Sequence, residues 1–125
     1  MTKVVQEVSK FPTNKVIGSG TALDTSRLRY QIGKYLEVSS KNIHAYVMGE
    51  HGDSEFIPWS NANIALRGMS YYLTNEEKKQ IENDVRNSAY EIIERKGATY
   101  YGIGMCLVRI TNAILGDENV ILSVS

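Results

Sequence analysis

Only two histidines occur in the 125 residues, and one of them, His51, stands between glycines in Gly49-Glu50-His51-Gly52-Asp53-Ser54. The apolar run Ala45-Tyr46-Val47-Met48 leads straight into it. This order predicts a strand that ends on a glycine-flanked imidazole. Histidine changes charge nearest neutral pH, so acid–base chemistry is the first use for such a residue. The competing use is a turn histidine with no chemistry. Which applies depends on whether a second segment supplies partners for the ring.

Leu23-Asp24-Thr25-Ser26-Arg27-Leu28-Arg29 is the candidate for that segment. Asp24 and Arg27 lie three apart at a predicted helix start and share a face. An Asp beside His51 would fix its tautomer and stabilise imidazolium, and an Arg beside both would bind a carboxylate through two parallel hydrogen bonds. The plainer reading makes Asp24 a helix cap and leaves both arginines in solvent. Arg29 diverges from the face of Arg27, so it needs a different task or none.

Other constellations fail their chemical tests. Gly18-Ser19-Gly20 lacks the third glycine of a dinucleotide fingerprint, because Leu23 stands there, and no acidic residue follows at the required distance. Gly102-Ile103-Gly104 lies inside a predicted helix. His44, His51, Glu50, Asp53 and Glu55 have no metal-ligand spacing, so no metal is expected. Ser54 is too near His51 in the chain for a hydrolase triad with Asp24, and no G-x-S-x-G elbow is present. Tyr71-Tyr72 and Tyr100-Tyr101 are not interleaved with basic residues, which argues against nucleic-acid stacking.

The elements that must position these residues follow from periodicity and breakers. Val4, Val5 and Val8 place residues 2–9 on a helix, which Phe11-Pro12-Thr13-Asn14 ends. Lys15–Gly18 reads as a short strand, and a helix follows over about residues 24–36. Val38–Ser40 reads as a loop, and Ile43–Met48 and part of Phe56–Ile64 as strands. Thr74 and Glu77 form a capping box for a helix whose apolar stripe is Ile81, Val85, Ala89 and Ile92; Gly97 ends it after Arg95 and Lys96. Residues 99–115 are apolar nearly all round and predict a buried helix. Val120–Val124 reads as a strand, which lacks a partner after it just as the first helix lacks a beginning.

Composition bounds the function classes. Apolar content of 42% and charged content of 22% are ordinary for a globular domain, and 14 basic residues balance 14 acidic ones. The balance gives no general attraction to nucleic acid or to an anionic membrane. The single Cys106 cannot form an internal disulfide, which points to a reducing compartment and a buried thiol. With no signal-peptide pattern or membrane-length apolar run, a cytoplasmic setting is expected.

Several of these motifs, in order, resemble the L-lactate dehydrogenase family. They are Val16-Ile17-Gly18-Ser19-Gly20-Thr21, Leu23–Arg29, Val47–Ser54, Pro58-Trp59-Ser60 and Lys96-Gly97-Ala98-Thr99-Tyr100-Tyr101-Gly102-Ile103. The resemblance covers essentially the whole chain. It implies an α+β fold, the lactate/malate dehydrogenase C-terminal catalytic domain, truncated at both ends and lacking the Rossmann domain. Residues 1–20 would be the remnant of the segment joining the nucleotide-binding domain, and residues 21–125 a partial catalytic domain.

Carried over by residue, the resemblance implies that His51 exchanges the proton of the substrate's C2 oxygen, with Asp24 as its carboxylate partner. Arg27 would grip the substrate carboxylate, with Asp24, Thr25 and Ser26 in the same substrate-binding segment, and Thr99 would size the pocket. Ser19 resembles a residue near the nicotinamide. Arg29 and His44 match a phosphate-binding pair that fructose 1,6-bisphosphate bridges between subunits in allosteric bacterial members, which gives Arg29 its separate task. The implied reaction is NAD-dependent interconversion of L-lactate and pyruvate in a homotetramer.

The resemblance also implies that the glycine-rich turn, the acidic ribose ligand and a mobile loop with a carbonyl-polarising arginine are missing. The chain alone is therefore expected to be inactive and prone to self-association. Two other readings stay open: a non-catalytic module that keeps the oligomer face and the phosphate pair, and a piece of a malate or other 2-hydroxy-acid dehydrogenase.

Overall fold

Leu28 and Ile32 lie one turn apart on a helix and are wholly buried, and the rest of the core is built against them. The computed structural model describes residues 1–125. Four helices and three short strands follow one another: α1 (Thr2–Ser9), α2 (Ala22–Leu36), β1 (Ile43–His44), β2 (Asn63–Ile64), β3 (Arg67–Gly68), α3 (Asn75–Lys96) and α4 (Tyr101–Leu115). This is the expected α+β mixture.

Helices α2 and α3 form the principal packed pair. Leu28 and Ile32 of α2 meet Ile81 and Val85 of α3, and Ile43, Ala45, Val47, Ile57, Ile64, Met69 and Leu73 close the cluster. Each fully buried large side chain there contributes about 1.5–3 kcal/mol of transfer free energy. The strands form one antiparallel sheet in the order β1-β2-β3, with Ile43 opposite Ile64 and Asn63 opposite Gly68.

Local signals in α3 behave as the sequence predicts. The Glu77 N–H donates to Thr74 Oγ1 at 3.3 Å, and the Thr74 N–H donates to Glu77 Oε2 at 2.7 Å, which completes the capping box. Arg95 and Lys96 occupy the last turn, and the Gly97 N–H closes the helix on the Ile93 carbonyl. The predicted apolar stripe is covered only in its first half: Ile81 and Val85 are buried, Ala89 is half-buried and Ile92 is exposed.

Three expectations change. The strand expected over Ile43–Met48 is regular only at Ile43–His44; Met48 then pairs with Phe56 in an isolated bridge. The strands expected at Lys15–Gly18 and Val120–Val124 do not form a ladder. They meet through three backbone bonds, a reciprocal pair between Gly18 and Ser125 and the Thr21 N–H to the Ser123 carbonyl, and neither segment is a regular strand. Helix α4 is not buried: only Cys106 and Ile110 are, while Met105, Leu107, Val108, Ile114 and Leu115 face outward. Its contact is a small cluster with Ala22 of α2, so one stripe of an all-round apolar helix is covered.

Candidate active site

The face of α2 that carries Leu28 and Ile32 continues one turn earlier at Asp24, by the four-residue spacing of a helix. Packing therefore carries a carboxylate into the protein with the core residues, and Asp24 is only 2% exposed. An ion buried in this way needs partners. It has two. Arg27 Nη1 donates to its Oδ1 at 3.2 Å, and Asp24 Oδ2 lies 2.5 Å from His51 Nδ1. Asp24 is thus not the helix cap, a position held by Thr21. The two segments singled out by their chemistry meet.

His51 is presented by a closed loop. The Met48 N–H donates to the Phe56 carbonyl at 2.9 Å and the Phe56 N–H returns to Met48 at 3.0 Å, so residues 49–55 protrude from a pinned base. Gly49 has a φ of 91°, with the Ser54 carbonyl 3.1 Å from where a Cβ would stand. A side chain there would strain both backbone and loop. The His51 side chain is 61% exposed. With Nδ1 turned to Asp24, Nε2 is the nitrogen left free to exchange a proton with a bound molecule.

Two threonines hold this base against α2. Thr21 Oγ1 donates to the Val47 carbonyl at 2.6 Å, and the Val47 N–H donates to Thr25 Oγ1 at 3.0 Å. Thr25 also shares a 2.8 Å hydrogen bond with Ser123. The Ser26 hydroxyl donates to the Ala22 carbonyl within its own helix. The hydroxyls of Thr25 and Ser26 thus have structural partners, although both residues flank the site.

The remaining candidates are placed apart. Thr99 sits half-buried in the link between α3 and α4, with no side-chain hydrogen bond to the His51 group; Gly102 just beyond it lies against Leu23 of α2. Ser19 is in the turn before α2, where its carbonyl accepts from the Ala22 N–H. Arg29 Nε donates to the Ala45 carbonyl at 3.0 Å, and its guanidinium stacks on Tyr46 with 4.7 Å to the ring centroid. That places Arg29 against the residues that follow the exposed His44 of β1.

Glu55 is the residue the sequence reading did not place here. Its Oε2 lies 3.9 Å from His51 Nδ1, and its side chain is 7% exposed. Burial, then the charge of Asp24, pushes its carboxyl above the ordinary value; the Gly52 backbone, His51 and Arg86 pull the other way. The available signal was alternation: Glu55 and Ile57 are buried on either side of exposed Phe56, a period-two pattern that sends the acid inward with the isoleucine. Asp24, His51 and Glu55 offer three donor atoms within 4.8 Å of one another. Arg27 and His51 already partner these acids. The field of Asp24 also reaches α4, where burial first and then that charge raise the Cys106 thiol.

Residues 21–125 match the family described as lactate/malate dehydrogenase, alpha/beta C-terminal domain. L-lactate dehydrogenase 2 of Bacillus cereus is 50% identical over 100% of this chain, and L-lactate dehydrogenase of Borrelia turicatae is 49% identical over the same share. The chain spans 42% and 41% of the length of these relatives. Among solved structures, a lactate dehydrogenase enzyme from a Medee basin deep-sea metagenome library superposes with a TM-score of 0.96 at 51% identity, covering 99% of this chain and 41% of that one. The minor L-lactate dehydrogenase from Enterococcus mundtii, in its ligands-bound form, gives 0.96 at 42% identity over the same shares.

Proposed function

Because the chain belongs to the lactate/malate dehydrogenase family through its alpha/beta C-terminal domain, we propose that it carries the proton-transfer and carboxylate-binding part of an NAD-dependent interconversion of L-lactate and pyruvate. The observation that carries this reading is the buried Asp24 carboxylate, shared between His51 and Arg27. No helix is long and apolar enough to cross a membrane, and the unpaired Cys106 fits a reducing, cytoplasmic setting.

Reduction of a 2-oxo acid adds a hydride at C2 and a proton at the C2 oxygen. The chain's own residues account for the proton. Asp24 takes the Nδ1 side of His51 and favours the imidazolium, whose Nε2–H then donates to the developing alkoxide. In the reverse direction neutral Nε2 accepts the hydroxyl proton. Arg27, fixed by one nitrogen to Asp24, retains guanidinium donors for the substrate carboxylate and so sets which face of the ketone is presented. Thr99, at the α4 end that docks near Leu23, is the wall we assign to the substrate's C3 side.

The residues present do not form a cradle for the nicotinamide dinucleotide. Gly18, Ser19 and Gly20 are the nearest glycine-rich turn, but Leu23 stands where the third glycine of a dinucleotide cradle would be, Gly18 is bonded to Ser125, and the Thr21 and Ala22 N–H groups at the start of α2 are bonded to the Ser123 and Ser19 carbonyls. Ser19 is at most a neighbour of the nicotinamide, and no step is assigned to the cofactor. Arg29 and His44 are assigned to an anionic phosphate effector, fructose 1,6-bisphosphate, between subunits of an oligomer. The support is that Arg29 is held at Ala45, next in sequence to His44.

Pyruvate titration tests the proposal. Pyruvate should perturb the His51 ring resonances in the chain, propionate should do so far less, and Arg27→Gln should abolish the pyruvate effect by more than tenfold in apparent Kd, the cost of losing a bidentate charged contact. Equal responses of wild type and Arg27→Gln would overturn it.

A further inference from the structure

Glu55 is buried, yet it accepts no side-chain hydrogen bond, and His51 is the only cationic group within 4.0 Å of its carboxylate. Packing alone does not account for an acid there, because Ile57 fills the equivalent inward position two residues on. Behind Glu55 a cavity of about 120 Å³ is lined by Phe56, Ile57, Glu82, Val85 and Arg86. Glu82 is engaged by Trp59 Nε1 at 2.5 Å. Arg86 faces Glu55 from α3 without reaching ion-pair distance.

Resting on the acid–base reading of His51, we propose that Glu55 is a positioning residue for His51, a second carboxylate on the Nδ1 side that favours the protonated ring by its charge while Asp24 holds the hydrogen bond. At 3.9 Å Glu55 is too far to bond Nδ1, which Asp24 occupies at 2.5 Å. Its charge still acts over that distance, and its burial limits screening. Counting Asp24, Glu55 and Arg27, the cluster carries one net negative charge when His51 is neutral and none when it is protonated. Proton uptake therefore neutralises the site, and a substrate carboxylate bound at Arg27 strengthens the preference. The groups that bear on the ring are Asp24 and Arg27 from α2, Glu55 from its own loop, Arg86 and Glu82 behind Glu55 from α3, and Cys106 beyond Asp24 from α4.

Diethyl pyrocarbonate acylates neutral imidazole, and peptide mass spectrometry reads His51 and His44 separately in the intact chain. His44 is exposed and unpaired, so it serves as the internal reference. In Glu55→Gln the His51 rate at a pH where the wild-type ring is part-protonated should rise relative to His44, and its pH profile should move to lower pH, the effect of removing one nearby charge. An unchanged ratio and profile would overturn the inference. Asp24→Asn separates the two levels of the proposal: if it raises the His51 rate and Glu55→Gln does not, only the role of Glu55 fails. If neither variant changes the rate, the acid–base reading fails too. Should Glu55→Gln lose the fold, so that both histidines react alike, Glu55→Asp decides. A His51 rate between those of wild type and Asp24→Asn supports the inference, and a rate equal to wild type overturns it.

Discussion

The backbone N–H of Val47 donates to the hydroxyl of Thr25 at 3.0 Å, four residues before His51 in the chain and one residue after Asp24 on α2. With the bond from Thr21 Oγ1 to the Val47 carbonyl, it ties together the two elements whose side chains meet at 2.5 Å. Val47 is wholly buried, so its N–H has no water to fall back on. Thr25→Val keeps the shape and removes the acceptor. It should cost about 1–3 kcal/mol, the penalty for stranding a buried donor, while Thr25→Ser should recover most of that. Urea unfolding of the three proteins measures the difference. A Thr25→Val midpoint equal to wild type would show that the tie is not needed.

Gly20 offers a second test of how the start of α2 is fixed. Its φ of 50° is in the left-handed region, and an added Cβ would stand 2.8 Å from the Ser123 carbonyl oxygen and from the Val124 carbonyl carbon. Gly20→Ala thus meets both a conformational cost of about 1–2 kcal/mol and a collision with backbone. The Ser123–Ser125 segment should release first. Hydrogen exchange at the Ser125 amide, which is bonded to the Gly18 carbonyl at 3.0 Å, should speed up in the variant while the α3 amides stay protected. Unchanged exchange at Ser125 would refute this.

Much of this arrangement is legible from the residues themselves. The capping box at Thr74 and Glu77 and the C-terminal Gly97 are local rules, and local rules were enough for the ends of α3. The meeting of Asp24 with His51 is non-local, and the residue types pointed to it because a paired acid, imidazole and guanidinium share one chemistry. Glu55 escaped because its role depends on the bend that brings it beside His51, and spacing alone does not show that bend. Helix α4 misled for a related reason. An all-round apolar composition reports the preference for burial, whereas actual burial requires a partner on every face, and here Ala22 and Leu122 cover only the Cys106–Ile110 stripe.

The contact between Tyr35 of α2 and Glu77 at the start of α3 predicts a bounded pH window. The hydrogen bond to Glu77 raises the Tyr35 hydroxyl above its ordinary 10.0, and the same bond lowers the Glu77 carboxyl below its ordinary 4.5. A lowered acid contributes stability that is present above 4.5 and fades as pH falls through its folded value. A raised phenol contributes stability present below 10.0 and lost as pH climbs through its folded value. The difference in Tm between wild type and Tyr35→Phe should therefore be flat between these limits and shrink outside them. Because both groups are exposed the effect is small, and a difference that grows on acidification would contradict it.

Glu55 should behave in the opposite sense to Glu77. Its carboxyl is raised from the ordinary 4.5, chiefly by burial and next by Asp24, so the folded chain holds that proton more tightly than the unfolded chain does. Stability linked to the group is then fully present below 4.5 and is lost as pH rises through the folded value. Ionised Glu55 at neutral pH is a cost to the fold, one expected where a residue serves a site rather than the core. Glu55→Gln removes the cost. Its Tm should exceed that of wild type at pH 7, and the gap should close on acidification to pH 4, where the wild-type carboxyl gains its proton. Melting curves of both proteins across this range measure the effect. A Glu55→Gln variant less stable at pH 7 than at pH 4 relative to wild type would show that the ionised carboxylate supports the fold.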